Sequence, residues 1–476
     1  MAGFNEILKH GRNYLVANLA TRALAFISIP VYTRLLSPND YGIVSVYLSV
    51  VAILASMMSF SADRSVSRYY FDQKSPEDFK RFVGTSSLLA LAFFLFNSSL
   101  LLIFAEKFGH LVGLSKSLIY LIIPISFINV IGLTFDQIFG PLKRSKNIAI
   151  SSLSKVYLGF SFSILLILLF KSDKYYGQIL GQIFAGTLLM IYWIKSIKPY
   201  FKFSFDKSYI RYIFTYSIPL IPYALSGVII EQFGKIAIGH TQNVSHAGYY
   251  SIALAISGLV SVVIAVTHQA WNPYYFEYMN SGNYVQIDKD YSKIFRITLF
   301  VAIGISAFGK EIGLLLTKRE FSGSLYLIPI FTVGYIFYQL SYAYMRNFGY
   351  SRKTYFMTIT VLVSGLSNIL LNLLLMKHLG ELGAAISFVS SYILMAFLAW
   401  FLNKFFIKLH ATPLKLMLVP LLITIPFYAS FYFLTSVESL LLSLFLKLIL
   451  TILFAGILFW YDRNEIFHYI KRIFIH

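Results

Sequence analysis

Residues 117–139 read Ser117-Leu-Ile-Tyr-Leu-Ile-Ile-Pro-Ile-Ser-Phe-Ile-Asn-Val-Ile-Gly-Leu-Thr-Phe-Asp-Gln-Ile-Phe139, with no charge before Asp136. About 20 mainly apolar residues, rising 1.5 Å each, cross the roughly 30 Å hydrocarbon core of a bilayer. The stretch therefore reads as a membrane-spanning helix. Working outward in both directions gives fourteen such spans: 13–33, 42–62, 83–104, 117–139, 150–170, 177–194, 212–233, 247–268, 294–316, 324–345, 355–376, 380–403, 413–434 and 440–460. The longest connections, 63–82, 195–211 and 269–293, are too short for a folded domain.

Composition agrees. Of 476 residues, 58% are hydrophobic and 13% charged, against about 25% charged in an ordinary soluble domain. Mean hydropathy is +0.70. Too little polar surface is available to cover soluble domains, which excludes a soluble enzyme or binding module. The fold class is all-α, a polytopic membrane protein. Cysteine is absent, so there is no disulfide, thiolate metal site or cysteine nucleophile. Residues 1–12 are short and basic, and no cleavable signal peptide is expected.

The net charge is +20. In a soluble protein that would suggest nucleic-acid binding. Here the basic residues lie between apolar spans and report orientation, so no nucleic-acid partner is expected. With the N-terminus inside, inner loops carry 26 Lys and Arg and outer loops 10, counting Lys415 and Lys310 near the adjoining span ends with the loops. The positive-inside rule then puts both termini in the cytoplasm.

The two halves resemble each other at an offset of about 205 residues. Ser37-Pro-Asn-Asp-Tyr-Gly42 enters the second span, and Val244-Ser-His-Ala-Gly248 enters the eighth; Gly42 and Gly248 are 206 apart. Ile123-Pro124-Ile125 recurs as Ile328-Pro329-Ile330, and Lys143-Arg144-Ser145-Lys146 as Ser351-Arg352-Lys353. Gly177 and Gly181 open the sixth span as Gly380 and Gly383 open the twelfth. The expected organisation is a six-helix bundle over 1–199, a parallel-repeat partner over 200–404, and two further helices with a cytoplasmic tail over 405–476. Two parallel bundles of this kind are a transporter architecture. The basic segment 195–211, with Phe201, Phe203 and Phe205 interleaved, is expected on the inner leaflet.

The first span and its exit, Arg12-Asn13-Tyr14, Thr21-Arg22, Ile29-Pro30 and Thr33-Arg34-Leu-Leu-Ser-Pro-Asn-Asp-Tyr-Gly42, resemble the polysaccharide-transporter family of the multidrug/oligosaccharidyl-lipid/polysaccharide exporter superfamily. The O-antigen flippase Wzx is its best-known type. The turn from Arg34 to Gly42 is the most specific piece. The duplication and short loops carry the likeness over spans 1–12, while fourteen spans look more like the lipid II flippase branch. The resemblance implies a flippase of undecaprenyl-pyrophosphate-linked oligosaccharides. It would work by alternating access, from the inner to the outer leaflet of a bacterial cytoplasmic membrane, ahead of a polymerase.

Such a substrate demands fixed positive charge along the route, hydrogen-bonding and aromatic groups for sugar, and an apolar groove for the tail. Arg22 lies eight residues beyond Tyr14, roughly 12 Å deep at the helix rise, with Asn18 one turn earlier. A cation at that depth faces protein or water. Its planar fork suits phosphate; the alternative is a structural pair with Asp136 or Glu231. Arg34, Arg64, Arg68, Lys235 and Lys447 are further candidates for the pyrophosphate or the cavity. Against them stand snorkelling for Arg34, plain positive-inside charge for Arg64 and Arg68, and a partner acid for Lys235 and Lys447.

No cofactor is expected. Asp136 and Glu231 are the candidates for H+ or Na+ coupling. Tyr335, Tyr338 and Tyr342 follow a helical stripe that suits sugar stacking or plain packing. Asn368 and Asn372, one turn apart, suit interhelical hydrogen bonding.

Two other readings stay open. A cation-coupled small-molecule exporter of the same shape would want a dominant buried acid, whereas the deepest early charge is Arg22. A membrane polysaccharide polymerase would want a long outer loop, and none is present. No Walker motif or metal-spaced acid pair occurs. Membrane lipids are the remaining expected partner.

Overall fold

The computed structural model describes residues 20–434 and 439–460, Arg22 and Ala25 excepted. Every regular element among them is helical, with no strand. The first, α1, comprises residues 26–35. Then follow α2 (Pro38–Met58), α3 (Arg64–Asp72), α4 (Pro76–Ile103), α5 (Ala105–Val112), α6 (Lys116–Phe139), α7 (Ser145–Leu169), α8 (Tyr175–Ile197) and α9 (Lys207–Ser217). The chain continues with α10 (Leu220–Thr241), α11 (Val244–Ser257), α12 (Leu259–Ser281), α13 (Tyr284–Leu316) and α14 (Ile328–Tyr350). It ends with α15 (Tyr355–Leu379), α16 (Glu381–Leu402), α17 (Leu414–Leu434) and α18 (Leu440–Leu458).

Thirteen helical runs among the described residues are long and apolar enough to cross a membrane. They match the second to fourteenth expected spans one for one. The span expected at 13–33 begins outside the described residues. Several helices outrun their hydrophobic cores. The ten residues of α13 that precede residue 294 and the stretch after 268 in α12 are loop by the hydropathy reading, yet both are helical. Here polar residues face outward while Tyr275, Met279, Ile287 and Tyr291 face inward, so amphipathicity rather than bulk hydropathy extends the helix. The same pattern makes α3 a short helix inside the expected loop 63–82, with Val66 and Tyr69 buried.

The chain packs as two compact units. One runs to Ser251 and takes in Leu316–Phe321; the other holds Ile252–Leu315 and the chain from Ser322 onward. Tyr47, Phe82, Phe135, Phe139 and Trp193 fill the core of the first, and Tyr291, Phe295, Phe331, Phe348 and Phe388 that of the second.

The Ser37–Gly42 turn shows how sequence sets this packing. Ser37 caps α2 by accepting from the Asp40 N–H at 3.1 Å, and the Asp40 carboxylate accepts from the Ser37 N–H at 3.2 Å. This reciprocal box fixes the helix start, and Pro38 occupies its first turn, where no donor is lost. One turn on, Gly42 meets α11: a Cβ there would lie 1.9 Å from the Val244 carbonyl oxygen. A Cβ at Gly248 would lie 2.8 Å from the Pro38 carbonyl oxygen. Helices approach this closely in membranes only through small residues. Gly42→Leu is expected to push α2 and α11 apart and destabilise by about 1–3 kcal/mol or more. Thermal unfolding in detergent checks this; an unchanged midpoint would refute the contact.

Segment 201–206 between α8 and α9 is non-helical and pinned to α4. The Lys202 N–H donates to the Lys80 carbonyl at 3.1 Å, Thr85 Oγ1 donates to the Ser204 carbonyl at 3.0 Å, and Lys202 Nζ pairs with Glu77 at 3.0 Å. Phe203 and Phe205 remain 75% and 67% exposed. Below them Tyr209 and Tyr212 donate to Asp78 and Asp72 at 2.5 and 2.6 Å, so α9 is held against α3 and α4. At the foot of α2, burial lifts the Asp63 carboxyl above its usual range, against the Ser59 hydroxyl that donates to it at 2.9 Å.

Candidate functional site

The polar centre of the first unit lies among α1, α2, α6, α7 and α8. Lys155 stands ten residues into α7, about 15 Å along the helix at 1.5 Å per residue and near its middle. Its Nζ donates to Asn129 Oδ1 on α6 at 2.9 Å. Both side chains line a cavity of about 390 Å³, together with Gln182 from α8, Ser28 and Tyr32 from α1, and Gly159. Pro124 interrupts the donor ladder of α6 one turn before Asn129, and Gly159 leaves open space one turn beyond Lys155. Asp136 lies two turns along α6 from Asn129, hence on the same face. It is within electrostatic reach of Lys155, and its Oδ1 has no hydrogen-bond partner.

Chemically this is a cation flanked by two amides and two hydroxyls in the middle of a membrane-spanning unit. The amides and hydroxyls both donate and accept, as sugar hydroxyls require. The ammonium supplies positive charge where hydrocarbon gives none, and an accessible lysine at that depth faces water or an anion. In the sequence Lys155 is only a lone charge within the span 150–170. Asn129, 26 residues away on the neighbouring helix, carried no pattern linking it to Lys155.

The expected site residues fall in several places. Arg22 and Asn18 lie outside the described residues. Arg34 donates back to the Pro30 carbonyl of its own helix at 2.9 Å and is exposed. Arg64 is half-buried at the start of α3, and exposed Arg68 pairs with Asp72 at 3.2 Å. Lys235 donates to Gln232 Oε1 at 2.9 Å, an oxygen that Ser49 of α2 also reaches at 2.9 Å. Glu231 is half-buried one turn before Lys235.

In the second unit Lys447 of α18 pairs with Glu311 of α13 at 2.5 Å, and its side chain is 3% exposed. Tyr335 is buried against Phe388 and Tyr392. Tyr338 and Tyr342 join hydroxyls at 3.0 Å, and Tyr342 stacks on His268 with centroids 4.1 Å apart. Asn368 donates to Ser391 at 3.1 Å, tying α15 to α16. The candidates are thus spread over both units, and Asp136 is the one in electrostatic reach of Lys155.

Residues 7–279, more than half of the chain, match the polysaccharide biosynthesis protein family. The chain belongs to this family. The Lsg locus putative protein 1 of Haemophilus influenzae is 23% identical over 285 residues, 57% of this chain and 66% of that protein. The succinoglycan biosynthesis transport protein ExoT of Rhizobium meliloti is 24% identical over 256 residues, 52% of this chain and 49% of that protein. The chain thus spans a little under two thirds and about half of these two relatives.

Among solved structures, the lipid II flippase MurJ in an inward closed conformation superposes with a TM-score of 0.73 at 16% identity, over 95% of this chain and 99% of that one. An inward-facing multidrug resistance MATE family transporter gives 0.58 at 15%, over 81% and 94%. At such identities the fold is what is shared. This member of the polysaccharide biosynthesis family is a multi-pass membrane protein with the MurJ/MATE-type fold.

Proposed function

We propose that this chain is a flippase for undecaprenyl-pyrophosphate-linked oligosaccharide repeat units, of O-antigen or another surface polysaccharide. It moves them from the inner to the outer leaflet of a bacterial cytoplasmic membrane by alternating access. Both termini lie in the cytoplasm, in keeping with 26 Lys and Arg on one side against 10 on the other. The two repeats, 1–199 and 200–404, form the transport halves, and 405–476 adds two helices outside them. A polymerase of the same pathway consumes the product, and the cycle is driven by H+ or Na+ rather than by a bound cofactor.

The observation that carries this reading is the Lys155–Asn129 pair in a mainly apolar cavity at mid-helix. A diphosphate crossing hydrocarbon needs such a cation, and a sugar needs the amides beside it. Membership of a polysaccharide biosynthesis family supports a saccharide cargo. Arg22, Asn18, Arg34, Arg64, Arg68, Lys235 and Lys447 are the other groups proposed to meet the anionic cargo. Asp136 and Glu231 are proposed for the coupling ion, and Tyr335, Tyr338 and Tyr342 for the sugar.

The test is deletion of the gene followed by assignment of the undecaprenyl-linked repeat unit to one leaflet. Intact repeat units trapped on the cytoplasmic side are expected. Unpolymerised repeat units reaching the outer face would instead indicate a polymerase. Normal surface polysaccharide, with no second flippase encoded, would overturn the reading in favour of a small-molecule exporter.

A further inference from the structure

Arg346 lies four residues before the end of α14 and is 7% exposed. Its guanidinium carbon sits 4.1 Å from the Trp271 ring centroid and 5.7 and 5.8 Å from those of Tyr275 and Tyr291. Neither terminal nitrogen, Nη1 or Nη2, has a hydrogen-bond partner. The rings attract the cation through their faces. They give its in-plane N–H fork no acceptor, and a buried charge left so is costly.

The described acids of the same unit are engaged elsewhere or exposed. Asp288 pairs with His410 at 2.9 Å, Asp290 accepts from Gln286 at 2.7 Å, and Glu311 pairs with Lys447. Glu381 accepts from Ser324, while Glu277 is exposed. Other donors beside Arg346 are also without acceptors. Trp271 Nε1, whose ring stacks on Arg346, has none. Gln339 Nε2 has none, although its Oε1 bonds His268 at 2.8 Å and its backbone carbonyl accepts from Tyr291 at 2.5 Å. Arg346 is thus a buried cation with a second unpartnered donor, Trp271 Nε1, stacked on it.

We infer that this aromatic box is an oxyanion site, in which the Arg346 fork holds a phosphate-type group on its two terminal nitrogens. A planar fork with both ends unpartnered matches two oxygens of one anion, which a halide does not offer. The same chemistry has two sources, free inorganic phosphate and the phosphate of an anionic lipid headgroup. Arg346 is about 6 Å from the helix end at 1.5 Å per residue, within reach of either. The inference is independent of the transport reading, since it concerns binding alone.

The experiment uses the full chain, delipidated in a neutral detergent. Sodium phosphate is compared with sodium chloride at equal ionic strength, with unfolding temperature and tryptophan emission as readouts. Trp271 is one of only four tryptophans. Phosphate is expected to raise the midpoint by about 3 °C or more over chloride and to change the emission. Both responses should vanish in Arg346→Gln and weaken in Arg346→Lys, which keeps charge without the fork.

In nanodiscs, phosphatidylglycerol that abolishes the phosphate response of the wild type would identify the headgroup as the source. A phosphate response that persists there would identify the free ion. Equal shifts in phosphate and chloride for the wild type, with no effect of phosphatidylglycerol, would overturn the site. So would an undiminished phosphate shift in Arg346→Gln. The wild-type comparison decides the matter even where the variant fails to fold.

Discussion

Lys155→Met is expected to reduce flipping by about 10- to 100-fold while the protein still inserts. The substitution keeps the length of the side chain and removes its charge. A hydrogen bond to a charged partner is worth about 1.5–3 kcal/mol, and every 1.4 kcal/mol is a factor of ten. The loss should therefore be large but finite. Asn129→Asp should mimic it, because a carboxylate 2.9 Å from the ammonium would neutralise the cation proposed to meet the cargo. Lys155→Arg should keep most of the activity. The measurement is the leaflet distribution of the lipid-linked repeat unit at matched expression. Wild-type flipping in Lys155→Met and Asn129→Asp together would sink the role assigned to this cavity.

Lys447→Met is expected to be the most destabilising single change in the second unit. Lys447 is buried, and Glu311 is its ion-pair partner on another helix at 2.5 Å. Removing one member leaves the other charged in a membrane-spanning unit, at a cost of about 3–5 kcal/mol. Lys447→Met with Glu311→Leu removes both charges, and replacing a buried pair by apolar residues is often neutral or stabilising. The double variant should therefore recover most of the loss. Thermal midpoints of the four proteins form a cycle that isolates the pair. Additive effects of the two substitutions would show that the pair contributes nothing. Transport by the stable double variant would separate a structural role of Lys447 from contact with cargo.

Hydropathy made the spans readable because a bilayer imposes one length and one polarity on every crossing. Thirteen of fourteen are found among the described residues, and their order and number needed no long-range information. The ends of helices were harder. In α12, α13 and α3 the deciding signal is an apolar face of three or four residues, such as Val66 and Tyr69, which an averaging window dilutes. The site was harder still. Lys155 and Asn129 are 26 residues apart, and Glu311 and Lys447 are 136 apart. Each polar residue was visible, but which one meets which is set by helix packing. Arg346 was counted among the inner-loop charges because it lies near the end of a span. Its burial comes from Trp271, Tyr275 and Tyr291 on α12 and α13, and nothing in its own segment announces them.

The glycine contact between α2 and α11 has an ancestry written into it. Residue 38 corresponds to 244 under the 206-residue offset, and 42 to 248. Gly42 meets the Val244 carbonyl, and Gly248 meets that of Pro38. Each copy thus touches in its counterpart what its counterpart touches in it. That reciprocity defines the isologous interface of a two-fold dimer. Under the proposed duplication, this is the imprint that a six-helix protein pairing with itself would leave once its gene was doubled and fused. A half-length chain ending near residue 199 and a second copy of it would be expected to recognise each other through this same turn.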